Sequence, residues 1–142
     1  MREREAFGVR THAVTVGGAT RLTLTIDLPP GTHIEPHRPA EPNLVPTVLE
    51  VEGLDGAAVD YPEPVVKDLG WDGLTLTVLE GAVDIVVTAR IPDTTRRIRG
   101  TLRYQPCVGG ACLPPRTVPW EAPVTGGTAY SVLGALAGIA TG

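Results

Sequence analysis

Arg21-Leu-Thr-Leu-Thr-Ile-Asp-Leu28 alternates without a break: Leu22, Leu24, Ile26 and Leu28 fall on one face, Arg21, Thr23, Thr25 and Asp27 on the other. A sustained period of two marks a half-buried β-strand. Pro29-Pro30-Gly31 ends it, because proline has no N–H to give a ladder and glycine permits the turn. The same period returns in Leu74 to Leu79, in Val83, Ile85, Val87, Ala89 and Ile91, and in Ile98, Gly100, Leu102 and Tyr104. Weaker strands are expected at His12 to Val16, Thr47 to Val51 and Thr117 to Trp120. Turn clusters such as Glu52-Gly-Leu-Asp-Gly56, Glu80-Gly81 and Pro92-Asp93 separate these runs. No stretch carries a convincing helical period, so the expected fold is all-β, an immunoglobulin-like antiparallel β-sandwich.

Composition agrees. Seventeen glycines and fourteen prolines among 142 residues far exceed the usual combined share of about 12% and exclude a mostly helical chain. Hydrophobic residues at 42% and charged residues at 20% supply a core and exclude a disordered low-complexity segment. With aromatics at 4%, that core must be aliphatic. A net charge of -4 offers no basic face for nucleic acid. The expected organisation is one domain over residues 1–125, then an apolar Gly/Ala-rich tail, or the start of a following segment, over 126–142. The opening Met1-Arg-Glu-Arg-Glu-Ala-Phe-Gly8 lacks the apolar region of a secretory signal, and Ala129 to Ala140 is too short to span a bilayer. Glu35-Pro-His-Arg-Pro-Ala-Glu-Pro-Asn-Leu-Val-Pro46 reads as a long, extended, surface-exposed connection.

The chain has two cysteines, Cys107 and Cys112, too few for a disulfide scaffold. They flank Val108-Gly-Gly-Ala111, a tight link that places the thiols on either side of a hairpin turn, within reach of a disulfide. Closing so short a loop contributes only about 2 kcal/mol on the loop-entropy account, a weak staple. It suits reversible exchange, in which one thiolate attacks a partner's disulfide and a second thiol resolves the mixed disulfide. On spacing alone, a redox pair, an inert structural disulfide and two buried thiols all remain open. A metal site would need two further ligands, and His12, His33 and His37 lie at no ligand-like spacing from the cysteines. No metal and no cofactor is expected.

The residues around the pair are more specific. Gly100, Tyr104-Gln105, Cys107, Cys112 and Leu113-Pro114-Pro115 resemble the "G-x-L-x-Y-Q-x-C … C-x-P-P" signature of the N-terminal, or alpha, domain of the transmembrane thiol:disulfide interchange reductase DsbD. Pro30-Gly31-Thr-His33-Ile34 resembles that family's "P-G-x-H-I", and Tyr61-Pro62 its "Y-P" before a cap region; together the likeness runs from about residue 12 to 122. The resemblance implies an immunoglobulin-like fold and electron transfer from a membrane-embedded partner to extracytoplasmic acceptors. It implies that Cys112 forms mixed disulfides with partners and that Cys107 resolves them. It also implies a cap loop with a shielding aromatic, for which Trp71 in Asp68-Leu-Gly-Trp-Asp-Gly73 is the candidate. Three departures stand out. Four residues separate the cysteines where better-known members have five, His33 and Glu35 stand where those members carry tyrosines, and no transmembrane or thioredoxin-like domain is expected within these 142 residues.

Three further residues are candidates for tuning the pair. His33 would favour a thiolate if its imidazolium lay close, against the plainer reading of a packed residue at a strand end. Arg103 shares a strand face with Arg97 and Arg99, either a solvated face or a positive docking patch. Tyr104 alternates inward with Leu102 and reads as core beside the cysteines. Two functions follow. One is thiol–disulfide exchange of the protein-disulfide reductase type, between a thioredoxin-like donor and a disulfide-bearing acceptor protein, at an extracytoplasmic location by family resemblance. The alternative is a non-catalytic immunoglobulin-like interaction module whose hairpin disulfide is structural.

Overall fold

The computed structural model describes residues 8–54, 56–68, 75–92 and 94–126, and every regular element among them is a strand. In chain order these are β1 (Gly8–Val16), β2 (Ala19–Asp27), β3 (Thr32–Ile34), β4 (Val48–Val51), β5 (Ala58–Asp60) and β6 (Val65–Asp68), then β7 (Thr75–Glu80), β8 (Ala82–Ala89), β9 (Arg97–Tyr104), β10 (Cys107–Val108), β11 (Ala111–Cys112) and β12 (Arg116–Gly126). They form two sheets, one of seven strands in the order β4-β9-β12-β1-β2-β8-β5 and one of five in the order β11-β10-β3-β7-β6. This is an immunoglobulin-like sandwich.

The alternation that opened the sequence reading packs as expected. Leu24 and Ile26 of β2 have no exposed surface, and they join Ile34, Leu79, Ile85, Leu102 and Tyr104 in one core shared by both sheets. Gly17 and Gly18, both left-handed, turn β1 into β2 with Val16 opposite Ala19. At Gly100 a side chain would run into the Glu50 carbonyl and stand 2.8 Å from Trp120 Cζ2, so this signature glycine lets the Trp120 ring lie against β9.

The structure differs from the sequence reading in four places. One ladder of the sandwich, β1 with β12, is parallel. β12 continues past Trp120 through Pro123 to Gly126, because its prolines pair only with β9, and β1 joins it later, from Val124. β3, β5 and β6 were not anticipated. β3 and β5 are three residues each, and β6 is exposed throughout, so none carries a readable alternation. Finally, the proline-rich connection is exposed only in its middle: Glu35 and Pro36 are buried and Leu44 to Pro46 half-buried. Trp71 and most of the tail beyond residue 125 lie outside the described residues.

Candidate functional site

Proline-bearing links carry the chain between the sheets. Leu28-Pro29-Pro30-Gly31 leads from β2 to β3, Gln105-Pro106 from β9 to β10, and Leu113-Pro114-Pro115 from β11 back to β12. A residue without an N–H cannot extend the ladder it leaves, so the strands end at the sheet boundary. Between the last two links lies a hairpin in which Val108 pairs with Ala111 around Gly109-Gly110. Of these two glycines only Gly109 is left-handed, with φ 61°, the arrangement of a type II′ turn.

That turn sets the register. Cys107 and Cys112 stand directly opposite each other, joined by a disulfide, with their Cα atoms 3.9 Å apart. The Leu113 N–H donates to the Pro106 carbonyl at 2.8 Å, so residues 106 and 113 are a hydrogen-bonded pair and the cysteines beside them a non-hydrogen-bonded one, the closer kind. Pro106 has no N–H with which to return the second bond. Gln105 Nε2 takes its place, donating to the Leu113 carbonyl at 3.1 Å. Immediately before it, Tyr104 is buried in the core and anchors the end of β9. Burial raises its hydroxyl pKa, with Arg116 opposing.

The two cysteines are unequal. Cys107 is 2% exposed, whereas Cys112, on the outermost strand of its sheet, is exposed. On the inner side of Cys107 the ladder continues with His33 directly opposite it, and with Glu80 directly opposite His33. Opposed residues of antiparallel strands project to the same face, so Cys112, Cys107, His33 and Glu80 form one row across four strands. Their register neighbours Ile34 and Leu79 point the other way, into the core. Beside the row Lys67 Nζ reaches Glu80 Oε1 at 3.2 Å, and His33, Lys67, Val78, Glu80 and Gly109 line a cavity of about 230 Å³.

Burial pushes the half-buried His33 imidazole below its ordinary value of 6.5; Glu80 opposes this and Lys67 reinforces it. The ring is therefore held neutral near pH 7. Burial works against the imidazolium that the sequence reading considered, and leaves a ring with one N–H to donate.

Glu35 lies two residues beyond His33, just past the end of β3. It is 3% exposed, its Oε1 has no hydrogen-bond partner among the described residues, and burial raises its pKa. Sequence reasoning missed it as a buried group because its surroundings read as an exposed connection. It missed Gln105 as a working residue too, although Gln-Pro ahead of a cysteine signals a side chain available to replace a missing donor.

The row does not include every candidate. Arg103 is exposed on the seven-stranded sheet, opposite Val48 and Thr117. Arg97 and Arg99 form ion pairs with Glu121 at 3.5 and 3.3 Å, a solvated strand face. A larger cavity of about 660 Å³, lined by His37, Val48, Leu49, Val59 and Tyr61 among others, shares no residue with the cysteine row. Among the described residues no cluster of three or more His, Cys, Asp or Glu could hold a metal ion, and no helix is long and apolar enough to cross a membrane.

An immunoglobulin-like sandwich bearing one buried and one exposed cysteine in a hairpin disulfide defines a class of β-sandwich thiol–disulfide domain. The family described as "Thiol:disulfide interchange protein DsbD, N-terminal" matches residues 1–120, and the chain belongs to it. Membership places the chain among thiol–disulfide oxidoreductase domains. Solved structures share the fold. The N-terminal periplasmic domain of ScsB from Proteus mirabilis matches with a TM-score of 0.67 and 17% identity, over 85% of this chain and 47% of that one, so the chain spans about half of that structure. The reduced form of the DsbD N-terminal domain of Neisseria meningitidis matches with a TM-score of 0.56 and 17% identity, over 85% and 87% of the two chains. A complex of the DsbD and PilB N-terminal domains of Neisseria meningitidis matches with a TM-score of 0.55 and 13% identity, over 85% of each chain. None of the curated proteins compared with the chain matches it.

Proposed function

We propose that the domain carries two electrons between proteins through reversible opening of the Cys107–Cys112 bond, as a protein-disulfide reductase. The observation that carries this reading is the unequal exposure of the two cysteines on an edge hairpin. A donor thiolate attacks Cys112 Sγ, the bond to Cys107 breaks, and Cys107 leaves as a thiolate inside the row. The neutral His33 ring opposite donates a hydrogen bond from its N–H to that thiolate and so stabilises it as a leaving group. The donor's second thiolate then attacks the donor sulfur of the mixed disulfide, so the donor leaves oxidised and Cys112 as a thiolate. In the forward half-reaction the Cys112 thiolate attacks an acceptor disulfide, and Cys107 resolves the product by attacking Cys112 Sγ. Exchange of this kind needs an accessible attacking thiol and a nearby resolving one.

The donor is a thioredoxin-like protein or domain, in keeping with the family and with a related domain having been solved bound to a PilB N-terminal domain. The acceptor is a disulfide-bearing protein. A membrane-embedded partner and an extracytoplasmic site of action fit the same family. By family resemblance Trp71 is assigned the role of the cap's shielding aromatic, Tyr104 anchors the hairpin, and Arg103 contributes only to the charge of the partner-facing surface. The domain extends over residues 1–125, with 126–142 as a tail or the start of a further segment.

Redox titration against glutathione, together with trapping by a Cys107→Ala variant, tests the reading. An exchange-active pair equilibrates above about -300 mV, and the variant captures a single-cysteine thioredoxin through Cys112. A bond that resists thioredoxin, with no captured complex, would make the disulfide structural and the domain a non-catalytic interaction module.

A further inference from the structure

The backbone of Cys112 is as suggestive as its sulfur. In an antiparallel ladder the N–H and C=O of a residue in a non-hydrogen-bonded pair point away from its partner. The 2.8 Å bond from Leu113 N–H to the Pro106 carbonyl puts Cys107 and Cys112 in such a pair. Cys107 therefore turns its N–H and C=O toward β3, and the bond from Gly109 N–H to the Gly31 carbonyl confirms the phase of that ladder, with His33 opposite Cys107. Cys112 turns the same two groups the other way. β11 is the last strand of its sheet, so they point off the edge.

The rest of this edge is closed to pairing. The next outward-facing position after Cys112 is Pro114, then comes Pro115, and neither has an N–H; before Ala111 the chain is in its turn. Elsewhere the fold seals an edge with side chains. On β4, the outermost strand at one end of the larger sheet, Tyr61 Oη accepts from Leu49 N–H at 3.0 Å, and just before the strand His37 Nδ1 donates to the Thr47 carbonyl at 2.9 Å, the two rings stacked with centroids 4.0 Å apart. Proteins commonly blunt strand edges in such ways to prevent unwanted pairing. Between Ala111 and Pro115 the one strand donor left on the edge belongs to the exposed cysteine.

We propose that this one-residue opening is a main-chain docking site for the redox partner. The partner lays one extended residue antiparallel to Cys112, exchanges both hydrogen bonds with it, and so holds its reactive thiol against Cys112 Sγ. A residue paired in this way has its Cα about 5.5 Å from that of Cys112, inside the 4.4–6.8 Å window of a disulfide. It also stands in the same cross-strand row as Cys112 and Cys107, so the incoming sulfur approaches along the line of the bond it breaks. Docking and attack then share one geometry, and the partner is selected for an extended backbone segment next to its thiol rather than for a side-chain sequence. This inference rests on the exchange function proposed above.

The test is amide hydrogen exchange, read by NMR at Cys112 in the Cys107→Ala variant. The Cys112 thiol is activated as its thionitrobenzoate mixed disulfide and reacted with a thioredoxin that retains only its reactive cysteine. The new disulfide forms as thionitrobenzoate leaves as a thiolate. The expected result is a tenfold or greater slowing of exchange at the Cys112 amide relative to the same variant carrying a small β-mercaptoethanol cap, with no change at the exposed edge residue Val66. A complex that forms while the Cys112 amide exchanges as fast as in the capped control overturns the docking mode and leaves the exchange function standing. Failure to form any complex overturns both.

Discussion

Gln105 supplies from its side chain the hydrogen bond that Pro106 cannot make from its backbone. The Leu113 carbonyl, whose usual partner would be an N–H at position 106, accepts from Gln105 Nε2 at 3.1 Å. In the oxidised protein the disulfide also ties β11 to β10. In the reduced protein Gln105 and the Leu113 N–H bond hold Cys112 in register. Gln105→Leu is therefore expected to loosen the dithiol form more than the disulfide form. One such bond is worth about 1 kcal/mol, so the effective concentration of the two thiols, measured against glutathione, should fall about fivefold. A value within twofold of the parent would show that Gln105 does not position Cys112.

His33 should leave a mark on pH dependence. Its folded value lies below 6.5, so between the two values the unfolded chain holds a proton that the folded one does not. Stability then falls as pH drops through that window. Burial is the main cause of the shift, and the charged groups beside the ring, Glu80, Lys67 and Asp68, are of mixed sign, so the slope should survive moderate salt. His33→Leu should flatten the pH dependence of urea-unfolding stability below pH 6.5 and slow exchange with thioredoxin at pH 7 by about tenfold, the loss of one hydrogen bond to a charged group worth about 1.5 kcal/mol. An unchanged exchange rate would confine His33 to packing.

Glu35 has the opposite sign. Its folded value is raised above the ordinary 4.5, so as pH rises from there the unfolded chain releases a proton that the folded chain keeps, and stability is lost. Glu35→Gln removes that loss. At pH 7.5 the variant should be more stable than the parent by about 1 kcal/mol, the scale of an unsatisfied buried group, and the advantage should vanish by pH 4. Urea midpoints at the two pH values check it.

Gly100→Ala tests whether the signature glycine belongs to packing or to redox chemistry. A methyl there meets the Glu50 carbonyl and Trp120 Cζ2, and overpacking against backbone costs roughly 1–3 kcal/mol or more. The midpoint of unfolding should fall accordingly, while the reduction potential of whatever folds stays that of the parent.

The core strands were legible because each pairs a long run with a one-sided burial, as Leu22 to Leu28 does, and period two then has enough repeats to stand out. β3 was not: His33 and Ile34 gain their places from Cys107 and Leu79, partners distant in sequence. The cysteine hairpin could be read from Gly109-Gly110 and its flanking prolines, so the pairing of Cys107 with Cys112 was within reach. The row beyond it depends on how β3 and β7 are laid beside the hairpin, and no local pattern states that. Glu35 shows the limit most clearly, since a charged residue among prolines looks solvated until the tertiary fold buries it.

The chain leaves the larger sheet at Tyr104 and returns to it at Arg116, and those two residues are themselves paired. Exit and re-entry thus occur side by side, and everything between them is a graft whose two ends meet at a single point of the scaffold. A graft of that kind can gain or lose a residue, be exchanged for another hairpin, or be retuned for a new partner without reopening the β9–β12 seam. The four-residue link between the cysteines, where better-known relatives have five, is the sort of variation such an attachment absorbs.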